Sequence, residues 1–276
     1  MPSNYAHYRF GKEIQKKLPE SIRNEVQRYP ELFMIGQHGP DILFFYNAFK
    51  SNPVVQEGHE MHRRRAADFF RPSIDVLKTL DEDHGERAYL YGFVCHFMLD
   101  SCAHWYVEDK IRTSGVCHTA IEAEFDRILM EMDGLDPVSY VPTDHISATE
   151  ENAHVIAKFL PGISDQMALK SLKDMRFYGR ILVCPGFLKR TVILTGMKIL
   201  GMSGGAGGMV IKPEANPKCA DSNEKLLRLF DAAQGEAVRY LKDVEMCIQT
   251  GSPLPERFHR TFGPDAISRE EYKNLV

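Results

Sequence analysis

Period-two alternation of apolar and polar residues is nearly absent from this sequence. Half-buried strands need that pattern, so its lack predicts an all-α chain. The six cysteines form no Cys-x-x-Cys; they sit in apolar helical runs or singly in loops. Buried free thiols are therefore expected in preference to disulfides. The opening residues, MPSNYAHYRFGKEI, lack the apolar core of a secretory signal, and the expected location is cytoplasmic. Basic residues are not in excess, at 34 against 38 acidic ones, and no basic patch carries interleaved aromatics. Such a chain is not expected to hold a stable nucleic-acid partner. The apolar stretch Ile181 to Met202 is broken by Pro185, Lys189, Arg190 and Lys198, so no transmembrane segment is expected. It reads as a core helix in preference to a helix on a membrane surface, and a peripheral membrane contact stays open. No internal repeat is visible.

What is present is helical pattern. With 276 residues and 43% hydrophobic side chains, the chain is long enough to bury a substantial core. It reads as a single multi-helix domain over residues 1–276, with a metal-binding core in 1–135 and additional helices and a C-terminal tail in 145–276. Tyr5 to about Tyr29 reads as two short helices divided at Pro19, a residue suited to a first helical turn. Phe33 to Asp41, with its glycines and proline, reads as a loop that presents Asp41 at the start of the aromatic run Ile42 to Phe49. Val54 to Phe70 reads as one helix carrying His59 and His62, and Pro72 opens another. Helices are also expected over Glu86 to about Val107, His118 to about Met132, Met167 to Tyr178 and Phe187 to Leu200. Ser147 with Glu150, Asp221 with Glu224, and Ser268 with Glu271 mark further helix starts of the capping-box type. Met202 to Met209, glycine-rich at 203–208, reads as a flexible linker in preference to a lid.

One stretch concentrates the chemistry: His96-Phe97-Met98-Leu99-Asp100-Ser101-Cys102-Ala103-His104. Each fourth residue of a helix lies about 40° further round and about 6 Å further along the axis. His96, Asp100 and His104 therefore form a shallow spiral on one side, shared with Tyr89, Gly92, Phe93, Ala103 and Val107. That face points inward, where imidazole and carboxylate must be paired or bound to metal. The next helix repeats the arrangement. His118 and Glu122 share a stripe with Phe125 and Leu129, while Glu124, Asp126, Arg127 and Glu131 fall on the solvent side. Imidazole nitrogen and carboxylate oxygen are donors that zinc accepts. His96 with Asp100 is a pair able to hold one ion, His118 with Glu122 is another, and His104 can reach the second ion. A central carboxylate can serve both ions, which could hold a hydroxide between them and take up charge on a phosphate oxygen. For any single residue a hydrogen-bonded core histidine is the plainer reading; five ligand types on the apolar faces of two helices favour metal. Spacing does not rank His59 against His62. Asp41 alone reads as a turn residue, and His7 alone as a surface or core histidine.

Taken in order, AHYRFGKEI, GQHGPDILFF, GHEMH, HFMLDSCAH and HTAIE resemble the motifs of the zinc-dependent phospholipase C family. Its all-helical fold is shared with the single-strand-specific zinc nucleases. The resemblance covers roughly residues 5 to 130. It implies one zinc held by Asp41, His62, His96 and Asp100, and a second held by His104, His118 and Glu122. A third zinc would share Asp100 and take His7, and His59 becomes a neighbour of the ligand His62. Secreted members complete that third site with the amino group and carbonyl of a mature N-terminal tryptophan. Here other residues precede His7, so the third site departs from the family pattern. The implied activity is hydrolysis of a phosphate ester or phospholipid by a metal-bound hydroxide, with Asp41 binding metal and orienting or deprotonating the water. The alternatives are a single-strand nuclease of the same fold and a non-enzymatic scaffold whose metals are structural.

Overall fold

The computed structural model describes residues 4–202 and 205–264. Among these the regular elements are all helical. Asn4–Gln15 (α1), Glu20–Arg28 (α2) and Pro30–Gly36 (α3) precede a 3-10 turn, Gly39–Phe45, which is followed by Pro53–Arg63 (α4) and Ala66–Lys78 (α5). Glu86–Ser114 (α6) is the long central helix. After it come His118–Met132 (α7), Glu150–Ala157 (α8), Asp165–Leu182 (α9), Phe187–Ile199 (α10) and Ala220–Thr250 (α11). All six cysteines are unpaired, as their scatter along the sequence implied.

From Ala88 to Cys102 every residue of α6 is buried, so this helix is apolar all round because it is covered all round. The residue that looks weakest in it, Gly92, is what lets α3 cross at close range. A Cβ on Gly92 would stand 2.2 Å from the Phe33 carbonyl oxygen, and one on Gly36 would stand 2.3 Å from that of Tyr89. Both obstacles are backbone, which cannot swing aside. Alanine at position 92 gains about 1 kcal/mol of helix propensity but has to push two helices apart, at about 3 kcal/mol or more. Gly92→Ala is therefore expected to lower the melting temperature by about 5 °C, and an unchanged thermal transition would refute the close crossing.

Several local expectations are corrected by packing. The stretch from Phe33 to Asp41 is not an open loop: Pro30 starts α3, and Gly39, at φ 46°, turns the chain into the 3-10 segment that carries Asp41. The helix expected from Val54 to Phe70 breaks at Arg64, which is extended, because the Ala66 amide donates to the Arg260 carbonyl (2.8 Å). Pro72 lies inside α5 and does not open a helix; beside it the Ser73 hydroxyl donates to Phe69 O (2.7 Å). Thr149, not Ser147, caps α8 by accepting from the Asn152 amide (3.2 Å). Asp221 sits within the first turn of α11 and takes Lys110 as its partner (2.6 Å). The Ser268–Glu271 start lies outside the described residues, as does part of the 203–208 stretch. Its remainder forms a 3-10 turn, Ala206–Met209, packed on α7.

Two corrections concern whole faces. Glu124, Asp126 and Arg127, placed by helical phase on the solvent side, are buried, because α1 covers α7 on one flank and the 206–216 segment covers it on another. Arg127 pairs with Glu124 (3.1 Å) and also donates to Lys212 O, while the Asn216 amide donates to Glu124 (3.1 Å). Conversely, the Ile181–Met202 stretch is not a core helix. Within it α10 buries only Met197, and Phe187 and Ile199 are 76% and 81% exposed.

Candidate metal centre

Four elements besides α6 bring side chains against its inward spiral. α1 supplies His7, the 3-10 turn Asp41, α4 His62, and α7 both His118 and Glu122. The first of these is held by two carboxylates, Asp126 within α7 and Asp133 just past its end. Asp126 accepts from the amides of Tyr5 (3.0 Å) and Ala6 (2.7 Å), and Asp133 accepts from the Tyr5 hydroxyl (2.6 Å) and Arg9. The acid at the N-terminus of α1 suits the exposed amides there and fixes the turn on which His7 rides.

The spacing is that of ligands around ions. His7 Nε2 lies 3.2 Å from Asp100 Oδ1, His96 Nε2 lies 3.4 Å from Asp100 Oδ2, and His62 Nε2 lies 3.1 Å from Asp41 Oδ1 and 3.8 Å from Asp100 Oδ2. On the other side His104 Nε2 is 3.8 Å, and His118 Nε2 2.6 Å, from Glu122 Oε1. Two donors each about 2.1 Å from a tetrahedral zinc lie about 3.4 Å apart. Three groups form in this way: His7, His96 and Asp100; Asp41, His62 and His96; and His104, His118 and Glu122, with the donor atoms of each group within 4.8 Å of one another. Every residue singled out from the sequence is thus brought together. His59 is not; it packs on Phe44 (ring centroids 4.6 Å) at the outer wall.

Hydrogen bonding selects which nitrogen faces inward. A carbonyl only accepts, so His62 Nδ1 donates to Gly58 O (2.7 Å), His96 Nδ1 to Gln37 O (3.1 Å) and His104 Nδ1 to Phe262 O (3.0 Å). Each imidazole is thereby fixed as the tautomer with a bare Nε2 lone pair, the arrangement that orients metal-binding histidines. Those Nε2 atoms, both nitrogens of His7, Asp41 Oδ1 and both Asp100 oxygens are buried without any hydrogen-bond partner. A native interior rarely leaves so many polar atoms unsatisfied in one place. Zinc, bonded to nitrogen and oxygen, would satisfy them, and the residues fit it.

The charges agree. Burial opposes ionisation of Asp100, but His96 and His104 beside it hold its carboxyl well below the usual carboxylate range. Asp41 is likewise buried, and the His62 and His96 imidazoles beside it outweigh the cost and keep it low. Burial pushes His96 down to about 3, so its imidazole stays neutral and able to bind metal across the physiological range. The site is dry at its base and wet at its mouth. His7 and Asp100 have no exposed side-chain surface, whereas His118 is 31% exposed. There a cleft of about 500 Å³ opens, lined by His62, His104 and His118 together with Phe44, His59 and Glu108.

A model of the zinc-dependent phospholipase C family matches residues 6–172. That is more than half of the chain, and it includes every candidate ligand from His7 to Glu122. The chain belongs to the zinc-dependent phospholipase C family. No curated protein and no solved structure matches it. Family membership makes it a zinc-dependent hydrolase and agrees with donor atoms that converge without partners. The matched region ends within α9, so α10 and α11 lie beyond it.

Some contributors to the centre were not singled out from the sequence. Gly39 is required because a Cβ there would stand 2.3 Å from the His96 ring; its position between His38 and Pro40 was the available signal. The carbonyls of Gln37 and Phe262 carry no side-chain signature at all. His38 lies in the same motif as Asp41 and is buried, its Nε2 2.8 Å from His145 Nε2, so that one imidazole donates to the other. Burial keeps both neutral, His145 pushed down to about 4 and His38 well below its ordinary range. Because these folded values lie under the unfolded one, the unfolded chain binds more protons below about pH 6.5, and stability falls as pH drops from there towards 4. His145→Gln is expected to make the fall of melting temperature over that window shallower, by about one proton. An equally steep fall in the variant would show that the pair does not cause it.

Proposed function

We propose that the chain hydrolyses phosphate esters, with phospholipids as the natural substrate class, at the cleft where His62, His104 and His118 meet solvent. The reading rests on one observation: oriented, unpartnered donor atoms crowd the floor of an open cleft large enough for a headgroup. Zinc bound there would supply Lewis acidity and lower the pKa of a coordinated water. The chain's own residues do the remaining work. Asp41, held ionised and 3.1 Å from His62 Nε2, orients the attacking water and receives its proton on the carboxylate. Carbonyls at Gly58, Gln37 and Phe262 hold the imidazoles in register, so little reorganisation accompanies the reaction. Phe44 flanks the His62 ring (centroids 5.3 Å) and excludes water from that wall.

The test is hydrolysis by zinc-loaded protein of p-nitrophenylphosphorylcholine and of phospholipid in mixed micelles, beside single-stranded DNA and RNA. Release of p-nitrophenol and of a phosphorylated headgroup is the expected result. Zinc-loaded protein inert towards both esters would overturn the proposal, and cleavage of nucleic acid alone would replace it with the nuclease reading.

A further inference from the structure

α10 turns its apolar side outward. Leu188, Val192, Thr195 and Ile199 recur at steps of four, three and four and so share one helical stripe. Ile193, Leu194 and Met197, on the opposite side, pack with Cys184 and Val210. Along the outer side Leu188 is 76%, Val192 61% and Ile199 81% exposed, with Phe187 and Leu200 bared at the two ends. An amphipathic surface helix normally shows the reverse arrangement, and a contiguous apolar patch of this kind marks an interaction surface.

Charge indicates what covers it. From Met175 to Pro213 there is no aspartate or glutamate, although Arg176, Arg180, Lys189, Arg190, Lys198 and Lys212 all fall there, in a chain of net charge −4; of these Arg180 is answered by Asp144 (2.9 Å). By helical phase Lys198 edges the stripe on one side and Lys189 on the other, although the Lys189 ammonium donates to the Arg180 and Val183 carbonyls (3.1 and 2.6 Å). Apolar residues edged by basic ones suit a bilayer interface, where the side chains sink below the headgroups and the Lys198 ammonium reaches anionic phosphates. A second copy of the same face would set lysine against lysine, which disfavours self-association.

Position links this face to the cleft. Past Leu200 the chain returns to α7, where the Thr119 hydroxyl donates to Gly205 O (2.9 Å). Thr119 follows His118, and both line the cleft. We propose that α10 is a docking helix that seats the rim of the cleft on an anionic membrane surface. Its usefulness for turnover rests on the phosphate-ester reading; the docking itself does not.

The test is co-sedimentation of the full zinc-loaded chain with vesicles of phosphatidylcholine alone and with one third phosphatidylglycerol. Binding is expected to be at least tenfold tighter to the anionic vesicles and to weaken with salt. The double variant Leu188→Asp/Ile199→Asp is expected to lose at least tenfold of that binding, and Lys198→Gln several-fold. Both are expected to keep the wild-type melting temperature and the rate on soluble p-nitrophenylphosphorylcholine. Undiminished vesicle binding by the double variant would overturn the proposal. So would a wild-type dimer that binds no vesicles and that the double variant splits. A chain that binds vesicles but cleeaves no ester would fail the phosphate-ester reading and leave the docking intact.

Discussion

Asp100→Asn is expected to lose more than one equivalent of zinc and at least a thousandfold of hydrolytic rate, about 4 kcal/mol of transition-state stabilisation. Both oxygens of Asp100 are buried without hydrogen-bond partners, and they face different imidazoles: Oδ1 faces His7, and Oδ2 faces His96 and His62. One negative charge therefore serves two groups of donors. Asparagine matches the shape but removes the charge, and its amide hydrogens would be drawn to the same bare Nε2 lone pairs that a metal needs. Elemental analysis, hydrolysis and melting of both proteins with and without metal separate these effects. Full zinc content in the variant would contradict the central role of this carboxylate.

Stripping metal from the wild type with a strong chelator is expected to lower the melting temperature by about 15 °C, reversibly on adding zinc. Each site occupied at a thousandfold over its dissociation constant adds about 4 kcal/mol to folding stability, and each kcal/mol shifts the midpoint by about 2 °C in a chain of this size. The direction follows from the molecule: without ions, the inward atoms of His7, Asp41, His62, His96, Asp100 and His104 have nothing to bond, and each such atom costs about 1–3 kcal/mol. A transition indifferent to chelation would mean that these atoms are satisfied in some other way.

The helical class and most of the donor set were legible because both depend on local spacing. Four-residue steps place His96, Asp100 and His104 on one face whatever surrounds them, and an apolar stripe tells which way that face points. Phase fails where a helix is covered on two sides. Nothing within α7 announces that α1 and the 206–216 segment both lie on it, so Asp126 looked like a solvent residue when it is the clamp for His7's turn. It fails in the opposite sense for α10, where apolar residues imply a core but the fold leaves them bare. Glycine was ambiguous for a related reason. Gly36 and Gly39 suggested a loop, yet one permits a helix crossing and the other makes room for the His96 ring. Close approach between distant segments leaves no periodic trace.

The contact between His104 and the Phe262 carbonyl, 158 residues apart in sequence, bears on the order of events during synthesis. A nascent chain exposes His7 to Glu122 early, but His104 gains its backbone brace only after Phe262 has left the ribosome. Complete ordering of the candidate ligands therefore waits until residue 262 has been made, long after Glu122, and a chain cut short of it is poorly prepared to act as a hydrolase.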